Sequence, residues 1–478
     1  MCGTRYLKVC LIAYLFLCLT LSGYAQHQQF PDKLLPYYHQ ALNYHFRSWP
    51  LVDIDTLPVE EQPAGIYINA LAATFTTIIA GQDPASEAWD YWNERTDQCS
   101  NSDEFCHFVK AEVAFHYSLV SFIKGEHFKS FLQFRKVYRA RDDAYQHPWS
   151  NKTYGMLNVL ITAVPEQYQW IMGLLGYRSD QLKGMQQLQS LVEGNSQISL
   201  EAFIVKLMLE QYIFDQNTFN DWLNLRTEYP NSPLIQFLFN ANALKNHQSQ
   251  YVIDRQVDSH IDQVYGQLGE AYLNKLEYDS ALTYFKIYED NLEERMTAEM
   301  LHKIWLCHKL KSDSASATEY ANYLLEKDES ISEADENAIF NLQLGEEQDL
   351  ELMKVRLTTD GGYYQLAGQI LEKIDSASLS GRRSQVEYLY RKARWLHLMG
   401  QPKNAVPYYE KVLAESPKTG WYFAPNTAYQ LGLIFENLGE VQIAVEYYEM
   451  VNNYRSYPYR NSLENKSNLH MRIIDSKN

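Results

Sequence analysis

The chain has 478 residues, with 42 basic against 59 acidic side chains and a formal net charge of −17. A surface that acidic repels a phosphate backbone, so nucleic acid is not an expected partner. The length exceeds what one compact core usually holds, but it suits an array of stacked units, which has no fixed size limit.

In chain order, the first predicted element is a signal peptide over residues 1–25. Arg5 and Lys8 form a basic start, residues 9–21 are an apolar run, and Gly23-Tyr24-Ala25 puts small residues where a signal peptidase reads. Cleavage before Gln26 and export are therefore expected, to the periplasm or outer surface of a bacterium. The run is about two-thirds of the roughly 20 residues that a spanning helix needs. Cys18 comes after Leu15-Phe16-Leu17, bulky where lipidation motifs require a small residue, so no lipid anchor is expected. No other stretch reads as a membrane span, and membrane contact is expected to be peripheral at most. Without Arg5 and Lys8 the chain keeps 40 basic residues against 59 acidic ones, spread along helices as solvated faces.

Residues 26–250 read as a degenerate helical-repeat region. Residues 65–80, 104–142 and 200–219 place apolar side chains at steps of three and four. Gly81-Gln82-Asp83-Pro84, His147-Pro148-Trp149 and Tyr229-Pro230-Asn231-Ser232-Pro233 break the pattern. Cys99 and Cys106 flank Ser100-Asn101-Ser102-Asp103, a turn followed by a helix N-cap. That turn makes a Cys99–Cys106 disulfide feasible in an oxidising compartment. Cys307, inside a helical run, is expected to be a small buried core residue.

Residues 251–478 carry a sharper pattern, clearest at about 262–295, 386–419 and 425–458. Leu268-Gly269-x-x-Tyr272 is followed by Ala281 and Phe285. Leu431-Gly432-x-x-Phe435 is followed by Ala444 and Tyr448 at the same offsets. Ala393-x-x-Leu396 is followed by Ala405 and Tyr409, with Pro417 closing the unit. Small residues let two helices approach and aromatics fill the space between pairs. This spacing resembles the tetratricopeptide repeat, which implies an all-α, right-handed solenoid of antiparallel helix pairs.

Two further segments stand out. Residues 151–184 join a helix with few charges to Pro165, then an apolar stretch, a Gly176-Tyr177-x-x-Asp180 turn and Gly184. Gly155, Leu157, Leu174 and Leu175 belong to the same pattern. It resembles the tetratricopeptide repeat protein 39 and fungal inclusion-body clearance family, whose link to organelle surfaces and lipid bodies implies a lipid-associated alternative. From the residues alone the segment reads as a buried hairpin. Asp360-Gly361-Gly362-Tyr363-Tyr364 is similar to the C-terminal parts of the same proteins.

No catalytic motif is present: no Gly-x-Ser-x-Gly elbow, no phosphate loop and no His-Glu-x-x-His helix. Glu112 and His116 share a helix face, His302 and His308 do not, and neither pair makes a metal site by itself. Cys99, Cys106 and His107 are better assigned to a disulfide than to zinc. Glu346-Glu347 sits in a solvated acidic run. No catalytic residue, metal or cofactor is therefore assigned.

The repeat resemblance implies a concave groove lined by the first helix of each pair. It points Tyr390, Arg394 and His397 of one unit, and Tyr429, Leu433 and Glu436 of the next, into that groove. An aromatic, mixed-charge groove suits a peptide, an unfolded segment or a glycan. The expected function is an exported, non-enzymatic scaffold binding a protein or peptide in the cell envelope. A glycan-binding or nutrient-binding envelope protein is the alternative from another class.

Overall fold

The computed structural model describes residues 30–477 apart from 101, 145–146, 162–179, 195, 256–258, 293–295, 328–331, 344–348 and 417–419. The signal peptide, Pro165, residues 174–177, Glu346-Glu347 and Pro417 lie outside the described residues. Among these, 23 α-helices and no strand occur, and the chain divides into two compact units at Lys206–Leu207. The repeat spacing placed the change of character near residue 250; the helices between 207 and 250 pack instead with the later, sharper repeats.

The first unit holds α1 (Leu35–Asn43), α2 (Gln62–Ala80), α3 (Ala88–Asp97), α4 (Glu104–Ile123), α5 (His127–Ala144), α6 (Ser150–Leu160) and α7 (Gln181–Glu193). Helix α8 (Ser199–Tyr212) contains the boundary. Contrary to the sequence expectation, residues 59–80 are long and apolar enough to cross a membrane, yet 78% of the 18 consecutive residues that meet this test is buried inside the fold. Helix α2 is a core helix: α1, α3 and α4 pack around it and take up its apolar sides. Asp103 caps α4 by accepting from the Cys106 amide at 2.9 Å. The turn before it brings Cys99 and Cys106 to a Cα separation of 5.8 Å, where they are joined as a disulfide; Cys307 is free and buried. Helices α6 and α7 approach so closely that a Cβ on Gly184 would lie 2.6 Å from the Gly155 carbonyl oxygen. Only glycine fits there, which accounts for Gly155 and Gly184 of the 151–184 pattern.

A charged cluster sits in the centre of this unit. Lys152 on α6 reaches Glu112 of α4 at 2.6 Å and also pairs with Glu201 of α8. Tyr38 and Tyr67 donate to Glu201 at 2.9 and 2.8 Å, Lys152 donates to the Tyr67 hydroxyl at 2.7 Å, and Thr153 donates to Glu112. All six side chains are buried. Five helices thus meet on one polar network.

The second unit begins with α9 (Phe219–Glu228), α10 (Pro233–Lys245) and α11 (Ser249–Asp254). The pairs α12 (Gln263–Asn274)/α13 (Tyr278–Leu292) and α14 (Ala298–Leu310)/α15 (Ser314–Leu325) come next, then α16 (Glu333–Gln343). Three more pairs complete the array: α17 (Leu350–Asp360)/α18 (Tyr364–Lys373), α19 (Gly381–Leu398)/α20 (Pro402–Glu415) and α21 (Phe423–Asn437)/α22 (Val441–Val451). Helix α23 (Arg460–Lys477) closes it. The small and aromatic residues of the repeat pattern are core: Ala281 and Phe285, Ala393, Ala405 and Tyr409, and Ala444 and Tyr448 are buried within successive clusters. First helices α17, α19 and α21 contact one another in order, as a solenoid requires.

Candidate functional site

First helices of successive pairs expose equivalent positions on one side, so residues about one repeat apart line up across them. In the second unit this brings Arg356 and Asp360 of α17, Tyr390 and Arg394 of α19, and Asn426 and Gln430 of α21 to one cavity of about 240 Å³. Phe340 of α16, Trp421, Tyr422 and Phe423 at the start of α21, and Tyr459 before α23 supply aromatic walls. Arg383 and Arg391 complete a set of four arginines facing two carboxylates, Asp360 and Glu387. An electropositive basin has formed inside a chain of net charge −17.

Hydrogen bonds between neighbouring first helices fix these groups. The Tyr390 hydroxyl donates to Asn426 Oδ1 at 2.7 Å, and Arg394 donates to Gln430 Oε1 at 2.7 Å. Arg391 donates to Glu387 at 2.7 and 3.1 Å and to the Tyr422 hydroxyl at 2.9 Å. Burial pulls Arg391 down, but the Tyr422 and Glu387 oxygens outweigh it and hold the guanidinium above its ordinary value. Arg394 stays charged in the same way, burial being offset by Tyr409, Tyr390 and Asp360. Asp360 is set in place from behind, since its carbonyl oxygen lies 2.9 Å from His247 Nδ1. Two residues on, Gly362 has φ 83°, and a Cβ there would meet the His247 carbonyl oxygen at 2.0 Å, so the Gly361-Gly362 turn is what lets α17 dock.

The six residues singled out from the repeat offsets separate into two groups. Tyr390 and Arg394 line the cavity, Tyr390 with its ring buried in the α19–α20 core and its hydroxyl at the wall. His397 lies away from the cavity lining, 3.4 Å from the Tyr409 hydroxyl, and burial followed by the Arg394 charge lowers it to about 4. Tyr429, Leu433 and Glu436 do not face an open groove. Tyr429 is buried and donates to Asp215 Oδ2 at 3.0 Å. Leu433 packs in the same core, and Glu436 accepts from Tyr448 at 2.6 Å and from His470 of α23 at 2.8 Å. Helix α23 stacks on the last pair, mainly against α22, and reaches Glu436 through His470, so the groove expected at Tyr429, Leu433 and Glu436 is filled by packing.

Sequence reasoning missed Arg356, Arg383, Arg391, Asp360 and the aromatics at 421–423 and 459. Arg356 and Asp360 precede Tyr390 and Arg394 by one repeat length of about 34 residues, a signal that was readable once α17 was counted as a repeat helix. Tyr459 carried no such signal. Among the described residues, no group of three or more His, Cys, Asp or Glu side chains could hold a metal.

A tetratricopeptide repeat family model matches residues 386–419, the α19–α20 pair. This is a tetratricopeptide-repeat-containing protein. No curated protein matches it, so its resemblance to the tetratricopeptide repeat protein 39 family rests on the quoted residues alone. Among solved structures, the human IFIT1 dimer with PPP-AAAA is similar at 12% identity and a TM-score of 0.30, covering 89% of this chain and 95% of that one. A monomeric IFIT1 mutant with m7Gppp-AAAA aligns at 13% identity and a TM-score of 0.29, covering 88% and 95%.

Proposed function

We propose that this tetratricopeptide-repeat protein is an exported, non-enzymatic scaffold of the bacterial envelope that holds an acidic segment of a protein partner in the arginine and aromatic cavity. One observation carries the reading: four arginines and a wall of aromatic rings converge from consecutive first helices on a single cavity. Guanidinium forks match carboxylates, and aromatic rings supply contact area at low entropic cost, so an acidic residue beside an apolar one is the natural occupant. Export rests on the residues of the leader.

The test is fluorescence anisotropy of the whole chain with defined peptides, acidic–aromatic against the same peptides amidated at every carboxylate. Acidic peptides should bind and weaken as salt rises. The Arg356→Gln, Arg394→Gln double variant should bind them at least about tenfold more weakly, at about 1.4 kcal/mol or more for the lost charge-assisted bonds. Equal affinity for both peptide sets, or preferential binding of a short single-stranded oligonucleotide, would sink the reading.

A further inference from the structure

The α4–α5 turn of the first unit has a surface unlike the rest of the chain. Phe122 and Ile123 end α4 and are 63% and 46% exposed, and Phe128 at the start of α5 is 77% exposed. Leu132, one turn further on, is 40% exposed. The turn is well tied down. Gly125 reverses the chain at φ 75°, the Glu126 amide donates to the Ser121 carbonyl at 2.8 Å, and Lys124 pairs with Asp83 at 3.1 Å. Three large apolar side chains are therefore held in water by an ordered turn.

The charge around them is also out of character. Between residues 122 and 139, Lys124, Lys129, Arg135, Lys136 and Arg139 stand against the single acidic Glu126, in a chain of net charge −17. On a helix of 3.6 residues per turn, Phe128, Leu132, Arg135, Lys136 and Arg139 share one face. Ser130, Gln133 and Val137, on the opposite face, are buried. At 1.5 Å per residue the basic group begins roughly 10 Å behind Phe128. That step is of the size of the bilayer headgroup zone, about 5–8 Å on each side of the hydrocarbon core.

We propose that this hairpin tip docks on an anionic lipid surface, with Phe122, Ile123 and Phe128 at the acyl boundary and Arg135, Lys136 and Arg139 against lipid phosphates. An apolar tip backed by a single-sign basic belt is the pattern of interfacial membrane binding. A stable protein interface needs about 800 Å² from each partner, far more than a few side chains at a hairpin tip supply. The surface belongs to the first unit and is independent of the arginine cavity.

The experiment is vesicle co-sedimentation of the full chain, so that every variant carries the same N-terminal segment. Binding should be stronger to vesicles of phosphatidylcholine with phosphatidylglycerol than to phosphatidylcholine alone. Lys136→Gln with Arg139→Gln should lower partitioning into the mixed vesicles about 30-fold, at about 1 kcal/mol per basic residue. Phe122→Ser with Phe128→Ser should lower it at least tenfold, and circular dichroism melts of both variants should match the parent because these side chains are solvent-exposed. Equal binding by parent and variants would overturn the proposal, as would a tip variant that changes the oligomeric state and leaves vesicle binding intact.

Discussion

Lys152 places its ammonium between Glu112 and Glu201 with hardly any of its side chain in contact with solvent. Burial pushes Glu112 up, but the Lys152 charge and His116 more than offset it and hold the carboxyl at about 2. Burial likewise works against the Lys152 charge, and the two glutamates restore it and raise the ammonium above its ordinary value. Removing one member leaves an uncompensated buried charge. Lys152→Met should therefore destabilise the chain by about 3–5 kcal/mol in urea titrations. Replacing Lys152, Glu112 and Glu201 together by apolar residues of similar volume should recover much of that loss, because no buried charge then remains. A single variant as stable as the parent would show that the cluster is hydrated and not sealed. The sequence reads the 151–184 segment as a buried hairpin but does not mark Lys152 as a charged core residue; only the arrival of Glu112 on α4 and Glu201 on α8 gives it partners.

At the scale of the element, the helix pair is set by a small residue facing an aromatic one. A Cβ added at Gly432 on α21 would lie 2.5 Å from the Tyr448 ring on α22, so any side chain there must push the two helices apart. Gly432→Leu should cost about 1–3 kcal/mol by overpacking, and the thermal melting midpoint should fall accordingly. An unchanged midpoint would mean that the pair can separate without loss. The same element explains why two of the six residues assigned to the groove line the cavity. Two of the three offsets within α19 lead to cavity-lining residues, Tyr390 and Arg394, because α17 and α21 flank that helix at repeat spacing. The same offsets on α21 lead to Tyr429 and Glu436, which α23 covers through His470 and through Lys466, 3.2 Å from Asp215. A closing helix has no repeat signature, since it packs against one neighbour instead of two.

For the whole molecule, the consequence of burying so many polar groups is a stability that declines on acidification. Burial, followed by the charges of Arg356 and Lys303, lowers His302 to about 3, and His397 is lowered to about 4. Unfolded histidines titrate near 6.5, so between pH 6.5 and about 4 the unfolded chain binds protons that the folded chain refuses. Stability is complete above pH 6.5 and lost as the pH falls, by up to about 1.4 kcal/mol per pH unit for each histidine. The depressed carboxyls of Glu112 and Asp215, both at about 2, continue the decline below about pH 4.5. Urea midpoints measured from pH 7.5 to 4.5 should fall steadily, and the His302→Gln, His397→Gln double variant should flatten that profile. A parent profile already flat over this range would contradict the burial of both imidazoles.

The sequence alone determined the helical class, the pairing of helices and the core residues of the clearest repeats. These arise from short-range spacing, because a pair of helices must bury a small-residue face against an aromatic one wherever it sits in the chain. Tertiary structure alone decided which inward positions stay open, which charged residues become core, and where the basic basin forms. Those outcomes depend on residues such as Arg356, Arg394 and Tyr459 meeting across separate helices. Their encounter is set by how the pairs stack and by where the closing helix lies, and no local pattern records either.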